Sequence, residues 1–160
     1  MCEREGELPS YTMSHVICTS ALIGLVFVMQ VSFMQVADNM RTEMFKRELK
    51  EIADYVSDTL ANLYFLVNST NYSDVTLEKT LNLPSYVEDS IFVINITLDE
   101  GSAQSIYGCI KDNMQIDVSS WILPGLKVEN QTTIESGGKT VVAGCRRGVD
   151  LNVYVWLAYA

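Results

Sequence analysis

The chain has 160 residues, of which 48% are hydrophobic and 19% are charged, and its formal net charge is −9. An acidic chain is repelled by the phosphate backbone, so this balance argues against a nucleic-acid partner. The chain has a single histidine and no Cys-x-x-Cys pair among its four cysteines, which argues against a zinc site.

Residues 16–36 form a continuous run without Asp, Glu, Lys or Arg. A helix of this length, at ~1.5 Å rise per residue, matches the ~30 Å hydrocarbon layer of a bilayer. We therefore predict an uncleaved transmembrane helix, preceded by a leader or lead-in over residues 1–13. The residues expected to contact lipid or neighbouring helices are Val16, Ile17, Leu22, Ile23, Leu25, Val26, Phe27, Val28, Phe33 and Val36.

Two other interpretations of this run stay open. One is a cleaved secretory signal, which has a basic leader and a small residue at the third position before the cut. This leader is net acidic, and for a cut after Ala37 the third position is occupied by Gln35. The run also fits the core helix of a soluble protein. Within a membrane, Gln30, Ser32 and Gln35 are expected to face other helices, because polar groups facing lipid cost free energy.

The helical pattern continues beyond the membrane run. From Leu49 to Val67 the apolar residues recur at spacings of three and four, which places them on one face of a helix predicted over 14–67. For the last three turns the expected cover of this stripe is the chain's own β domain. For the stripe from Val36 to Leu49, the chain's own β domain and neighbouring subunits are equal alternatives as the cover. The polar stretch that follows predicts a linker loop over 68–89.

After Pro84 the period of the apolar residues changes to two, which is typical of strands. The pattern predicts six short strands, at 90–98, 103–110, 114–118, 126–134, 139–146 and 151–158, joined by hairpin turns. The predicted fold class is therefore α+β: a long N-terminal hydrophobic and amphipathic helix, then a small antiparallel β domain over 90–160. Because so small a domain is marginal for a core of its own, we expect it to pack on the helix near Leu60 to Val67.

Cysteines and glycosylation sequons indicate the compartment. Cys109 and Cys145 both fall late in predicted strands, and we predict a disulfide between them, with two buried free thiols as the alternative. Four N-glycosylation sequons follow the membrane run and none precedes it. Their asparagines are Asn68, Asn71, Asn95 and Asn130. Together these features predict a glycosylated, extracellular domain.

The basic residues indicate the opposite orientation. Only Arg4 precedes the membrane run, whereas Arg41, Lys46, Arg47 and Lys50 follow it closely. The positive-inside rule, taken alone, puts the domain in the cytoplasm. We give the sequons and the cysteine pair more weight and predict a domain at the cell surface.

The order of these parts resembles that of type IV pilin-like proteins, especially archaeal ones such as archaellins and their accessory membrane proteins. Pro9-Ser10-Tyr11-Thr12-Met13 stands where that family has its leader-peptidase site, directly before the apolar helix. The resemblance implies that apolar helices bundle at the centre of a filament while β domains face outward. Val16 to Val36 is then the assembly segment, and the implied partners are copies of the chain, membrane lipid and other envelope proteins.

No residue set in the sequence predicts catalysis, a cofactor or a metal. His15 stands alone at the edge of the apolar run, and Gly137-Gly138-Lys139-Thr140 lacks the first glycine and the helix of a phosphate-binding loop. We therefore expect a structural protein rather than an enzyme, assembling through its N-terminal helix into a surface filament. The alternative is a monomeric anchored ectodomain that serves as a binding or accessory module of an envelope complex.

Overall fold

The computed structural model describes residues 8–70, 75–99, 102–129, 133–150 and 152–160. A single long helix, α1, extends over Leu8–Ser69. The chain divides into two compact units, one up to Arg41 and one from Thr42 to Ala160. The first unit is helical throughout its described part, and the second contains the rest of α1 and all the described strands.

Eight strands in the described residues form one sheet. They are β1 (Thr76–Leu81), β2 (Phe92–Asp99), β3 (Ser102–Ile110), β4 (Asn113–Trp121), β5 (Lys127–Val128), β6 (Thr133–Glu135), β7 (Val141–Arg147) and β8 (Val153–Tyr159). The order is β1-β7-β8-β5-β3-β2-β6, and β4 pairs with β3. Every pairing is antiparallel except that of β5 with β8. The α+β class predicted from the sequence is thus confirmed.

Three segments differ from the predicted pattern. α1 begins at Leu8, inside the lead-in predicted over 1–13, rather than at residue 14. β1 lies inside the segment predicted as a linker loop, where Thr76–Leu81 pairs with β7. Within the strand predicted over 126–134, the described residues belong to two short strands with different partners. Of these, β5 pairs with β3 and β8, whereas β6 pairs with β2. The domain is therefore a sheet of eight strands rather than six.

The core lies between α1 and the inner face of the sheet. The buried positions of α1 follow each other at spacings of three and four, so they form one stripe on the helix. The main members of the stripe are Phe45, Leu49, Ile52, Val56, Leu60, Leu63 and Val67. They belong to the same apolar cluster as Phe92, Ile94, Ile106, Val155 and Leu157 of the sheet. The prediction that the last turns of the helix pack on the chain's own β domain is confirmed, and the cover extends back to Phe45.

Polar side chains of α1 bond to the end of β4. Among the described strands β4 pairs only with β3, so its other edge exposes backbone groups. Lys50 Nζ donates to the Ser119 carbonyl at 2.8 Å, and Ser57 Oγ donates to the Trp121 carbonyl. An uncovered edge is a template for pairing with another chain. These bonds fix the helix beside β4 and occupy two of the strand's carbonyl groups.

Asp54 strengthens the same junction. Its Oδ1 accepts a hydrogen bond from Ser120 Oγ at 2.5 Å and an ion pair from Lys50 Nζ at 2.9 Å. Burial by itself raises the pKa of the Asp54 carboxyl, but the bonds from Ser120 and Lys50 outweigh burial and hold that pKa below its ordinary value.

A tight turn shapes the connection between β1 and β2. Val87 and Ser90 exchange both backbone hydrogen bonds, at 2.9 and 3.0 Å. Glu88 and Asp89 between them have φ values of 42° and 64°, a left-handed conformation that non-glycine residues seldom adopt. Val87 is buried in the core, which anchors this turn beside α1.

We predict that Leu60→Ala lowers the free energy of unfolding by about 2–5 kcal/mol, because it leaves a cavity between α1 and the sheet. The matched control is Leu66→Ala, since Leu66 lies on the same helix and is 57% exposed. Urea unfolding of the full chain in detergent measures both. Equal losses for the two variants would contradict the assignment of the core.

We predict a pH effect from Asp54. Its lowered pKa means that its contribution to stability is present above the unfolded-state value near 3.8 and is lost as the pH falls through the lower folded-state value. The free energy of unfolding, measured between about pH 2 and 5, should therefore rise less steeply with pH for Asp54→Asn than for the wild-type chain. Identical slopes would show that the junction with Ser120 and Lys50 does not favour the ionised form.

Candidate membrane and assembly site

The ten residues predicted to contact lipid or other helices all lie on α1 and are all exposed. Their exposed fractions range from 51% to 75%. The ten are Val16, Ile17, Leu22, Ile23, Leu25, Val26, Phe27, Val28, Phe33 and Val36. They point in all directions around the helix, so no single face is apolar. A helix that is apolar all round requires an apolar environment on every side.

This part of α1 has the length and composition of a membrane span. Its most apolar 18-residue window has a mean hydropathy of 2.2, and none of that window is buried. Among the described residues it is the one helix that meets both criteria. The core helix of a soluble protein, one of the interpretations left open above, would be mostly buried within its own fold.

Two hydroxyl groups inside the apolar segment bond back to the helix itself. Thr19 Oγ1 donates to the His15 carbonyl at 2.9 Å, and Ser20 Oγ donates to the Ile17 carbonyl at 2.9 Å. Hydrocarbon offers no hydrogen-bond partner, so side chains that bond back to their own helix suit a lipid environment.

Two amide side chains in the same segment, unlike these hydroxyls, form no hydrogen bond within the described residues. Gln30 and Gln35 are exposed, and no group in the described residues bonds their side chains. Gln30 lies beside Val26, Phe33 and Met34 in an otherwise apolar shallow groove. An amide in hydrocarbon is stabilised by a partner on another helix.

Gly24 offers a place where another helix can approach closely. A Cβ added there would meet nothing within 4 Å. Ser20 precedes Gly24 by four residues, so both small residues lie on the same side of α1. Small residues at this spacing let helix backbones pack together in membranes. Our sequence analysis did not include this pair, although the Ser-x-x-x-Gly spacing could have revealed it.

The apolar surface of α1 changes from exposed to buried at one point. Met40 and Met44 are more than half exposed, whereas Phe45 and Leu49 are buried against the sheet. From Val36 to Leu49 the sequence left open whether the chain's own sheet or a neighbouring subunit covers the apolar residues. The chain's own sheet covers them only from Phe45 onward.

The predicted glycosylation sites differ in their surroundings. Asn68 is exposed in the last turn of α1. Asn95 lies on β2 between β3 and β6, and its Oδ1 accepts a hydrogen bond from Thr133 Oγ1 at 3.0 Å. Asn71 and Asn130 lie outside the described residues. Asn68 therefore has the open surroundings that a glycan needs, whereas Asn95 is held within the sheet.

The predicted disulfide is not formed. Cys109 and Cys145 are free thiols, and both are buried. They belong to β3 and β7, which are separated in the sheet by β5 and β8. Three strand spacings of ~4.8 Å exceed the ~7 Å between Cα atoms that a disulfide can bridge. The structure matches the alternative reading, in which each thiol is a small buried apolar group.

Burial also makes these thiols unreactive. It raises the pKa of Cys145 to about 12. Burial, together with the neighbouring Asp117 carboxylate, raises the pKa of Cys109. The thiolate is the reactive species, so both side chains are inert in the folded chain.

Charged side chains of the β domain are arranged in pairs. Arg146 Nη2 lies 2.7 Å from Glu129 Oε1, and Lys111 Nζ lies 2.8 Å from Glu135 Oε2. In the part of the chain that the structure describes, no three His, Cys, Asp or Glu side chains are grouped to hold a metal ion. These pairs connect neighbouring strands and loops.

No known protein-family model, curated protein or solved structure matches this chain. The layout shared with type IV pilin-like proteins is therefore a resemblance in the order of parts.

We predict that a thiol reagent modifies Cys109 and Cys145 slowly in the folded chain and rapidly after denaturation. Their buried, raised-pKa thiols explain the slow reaction. Intact mass before and after alkylation under non-reducing, denaturing conditions measures it. A chain that takes up label at these two positions only after reduction would have the disulfide and would contradict the structure.

Proposed function

We propose that this chain is a membrane-anchored structural subunit of the cell surface, similar to type IV pilins. Its apolar helix holds it in lipid and joins it to copies of itself in a filament. The observation that carries the proposal is the exposure of every apolar residue from Val16 to Val36, on all sides of α1. The apolar stripe from Phe45 onward is buried by the chain's own sheet, so only the first stretch needs an external apolar partner.

Self-association is supported by features that lipid alone does not satisfy. Gln30 and Gln35 lack hydrogen-bond partners within the described residues, and a neighbouring helix can supply them. Ser20 and Gly24 provide a narrow surface for close packing. Met40 and Met44 extend the exposed apolar surface beyond the length that a single span requires.

An extracellular β domain is supported by the sequons, which all follow the apolar segment. Asn68 is exposed and suits modification. The basic residues at Arg41, Lys46, Arg47 and Lys50 oppose this orientation under the positive-inside rule. All four have acids nearby on the same helix, but acids have little effect in that rule.

A second candidate function is a monomeric anchored ectodomain that acts as a binding or accessory module of an envelope complex. The observation that favours it is the completeness of the β domain. The domain covers its own helix stripe, and Lys50 and Ser57 bond to the end of β4, so no second copy is required to bury its core.

The proposal is tested by energy transfer between donor- and acceptor-labelled full chains in lipid vesicles. We predict that the wild-type chain associates and that Gly24→Ile weakens association about tenfold, because the new side chain keeps the backbones apart. The control Leu25→Ile adds no volume at the contact and should associate like the wild type. Both variants retain an apolar segment and should insert equally.

Energy transfer no greater than expected for random chains at the same density would overturn the filament proposal and favour the monomeric module. A wild-type chain that stays in the aqueous phase when vesicles are sedimented would overturn membrane anchoring as well. A glycan found at Asn68 by intact mass supports the extracellular orientation, and complete protection of the β domain from external protease in cells contradicts it.

A further inference from the structure

The second unit carries a basic groove along one side of α1. It is lined by Lys46, Arg47 and Lys50 together with Met44 and Val118, and one carboxylate, Glu43, lies at its margin. Met44 is 54% exposed, so the groove combines an apolar floor with cationic walls. Among its lining residues, positive charges outnumber negative ones.

An acidic groove lies on the other side of the same helix segment. Glu48 and Glu51 line it together with Tyr55, and the loop after β1 contributes Leu83 and Tyr86. Among the described residues that line this groove none is basic, although Lys79 Nζ lies 5.9 Å from the centre of the Tyr55 ring. Glu48, Glu51, Tyr55 and Tyr86 are all exposed, and the tight turn at Val87–Ser90 holds the loop in place. Exposed tyrosines beside carboxylates form a surface suited to a partner with cationic and apolar groups.

The two grooves occupy the same stretch of α1, residues 43–55, on either side of its exposed face. We propose that the basic groove of one copy binds the acidic groove of the next. Lys46 and Arg47 then face Glu48 and Glu51 of the neighbouring copy. Met44 packs between that copy's tyrosines. This inference rests on the proposed function, because it gives self-association through α1 a specific contact in the β domain.

Lys50 is held by Asp54 and the Ser119 carbonyl, so the charges available for such a contact are those at positions 46, 47, 48 and 51. Arg47 and Glu51 approach each other at 4.0 Å within one helix, but their side chains are 85% and 74% exposed. An ion pair that exposed contributes little to stability, so exchanging it for contacts with another copy costs little. Burial between two copies excludes water and makes complementary charges decisive for register and for partner choice.

A contact between two different surfaces has consequences for assembly. A bound pair leaves the acidic groove of one copy and the basic groove of the other free, so further copies add in the same direction. Such head-to-tail interfaces produce closed rings or open filaments, according to the rotation between neighbours. The proposed contact therefore matches a subunit that polymerises rather than one that stops at a dimer.

The test uses charge reversal in the full chain in lipid vesicles, with energy transfer as the readout. Glu48→Lys with Glu51→Lys makes both grooves basic, and Lys46→Glu with Arg47→Glu makes both acidic. Each double variant should weaken association about tenfold or more, because like charges then face each other. The variant with all four substitutions restores complementarity in the opposite sense and should associate like the wild type. It also keeps an ion pair between positions 47 and 51.

Asp58→Lys is the matched control, since Asp58 is exposed on the same helix and lines neither groove. It should leave association unchanged. If both double variants associate like the wild type while Gly24→Ile weakens association, the proposed contact is overturned and the proposed function stands. If the four-substitution variant stays as weak as the double variants, the contact is likewise overturned. A monomeric wild-type chain overturns both proposals.

Discussion

The burial of the α1 stripe against the sheet is the interaction on which this fold depends. A sheet of this size buries only one face, and that face needs an apolar layer opposite it. Leu49, Val56, Leu60 and Val67 supply the layer and are completely buried. Each such side chain contributes about 1.5–3 kcal/mol when removed from water. The helix is therefore part of the domain's core in its second half, while its first half presents apolar groups on every side.

Directional bonds determine where the helix lies on the sheet. Hydrophobic burial is non-directional and would allow the stripe to slide along the inner face. Lys50, Asp54 and Ser57 prevent this because they bond to consecutive residues at the end of β4. The same bonds occupy carbonyl groups of an edge strand. One set of side chains thus sets the register of the helix and limits unwanted strand pairing.

Much of this architecture could be predicted from periodicity. The change from a helical spacing to a spacing of two after Pro84 marks the helix and the long strands, and the predicted return strand at 103–110 nearly coincides with β3. β1 was missed because Thr76–Leu81 is an edge strand with mostly exposed, polar positions, so it has little apolar alternation. The segment 126–134 was predicted as one strand because local pattern does not reveal that its two ends pair with different neighbours.

The candidate site also has a part that could be predicted from the sequence and a part that could not. The exposed apolar segment follows from composition, because lipid-facing residues must be apolar throughout. The grooves of the β domain could not be predicted, since they bring helix residues beside Val118 and Tyr86, which are distant in the chain. The disulfide prediction failed for a related reason. Two cysteines late in strands suggest proximity, but the order of strands in the sheet keeps Cys109 and Cys145 apart.

The position of β8 affects when the sheet can be completed during synthesis of the chain. β8 is the last of the eight strands to be synthesised, yet it lies in the interior of the sheet, between β7 and β5. Its pairing with β5 involves only two residues and joins the part of the sheet containing β7 to the part containing β3. Until β8 has left the ribosome, the apolar stripe of α1 from Leu49 to Val67 is only partly covered by the sheet. A nascent chain at this stage therefore exposes apolar surface, and such surface is prone to aggregation until the last strand pairs.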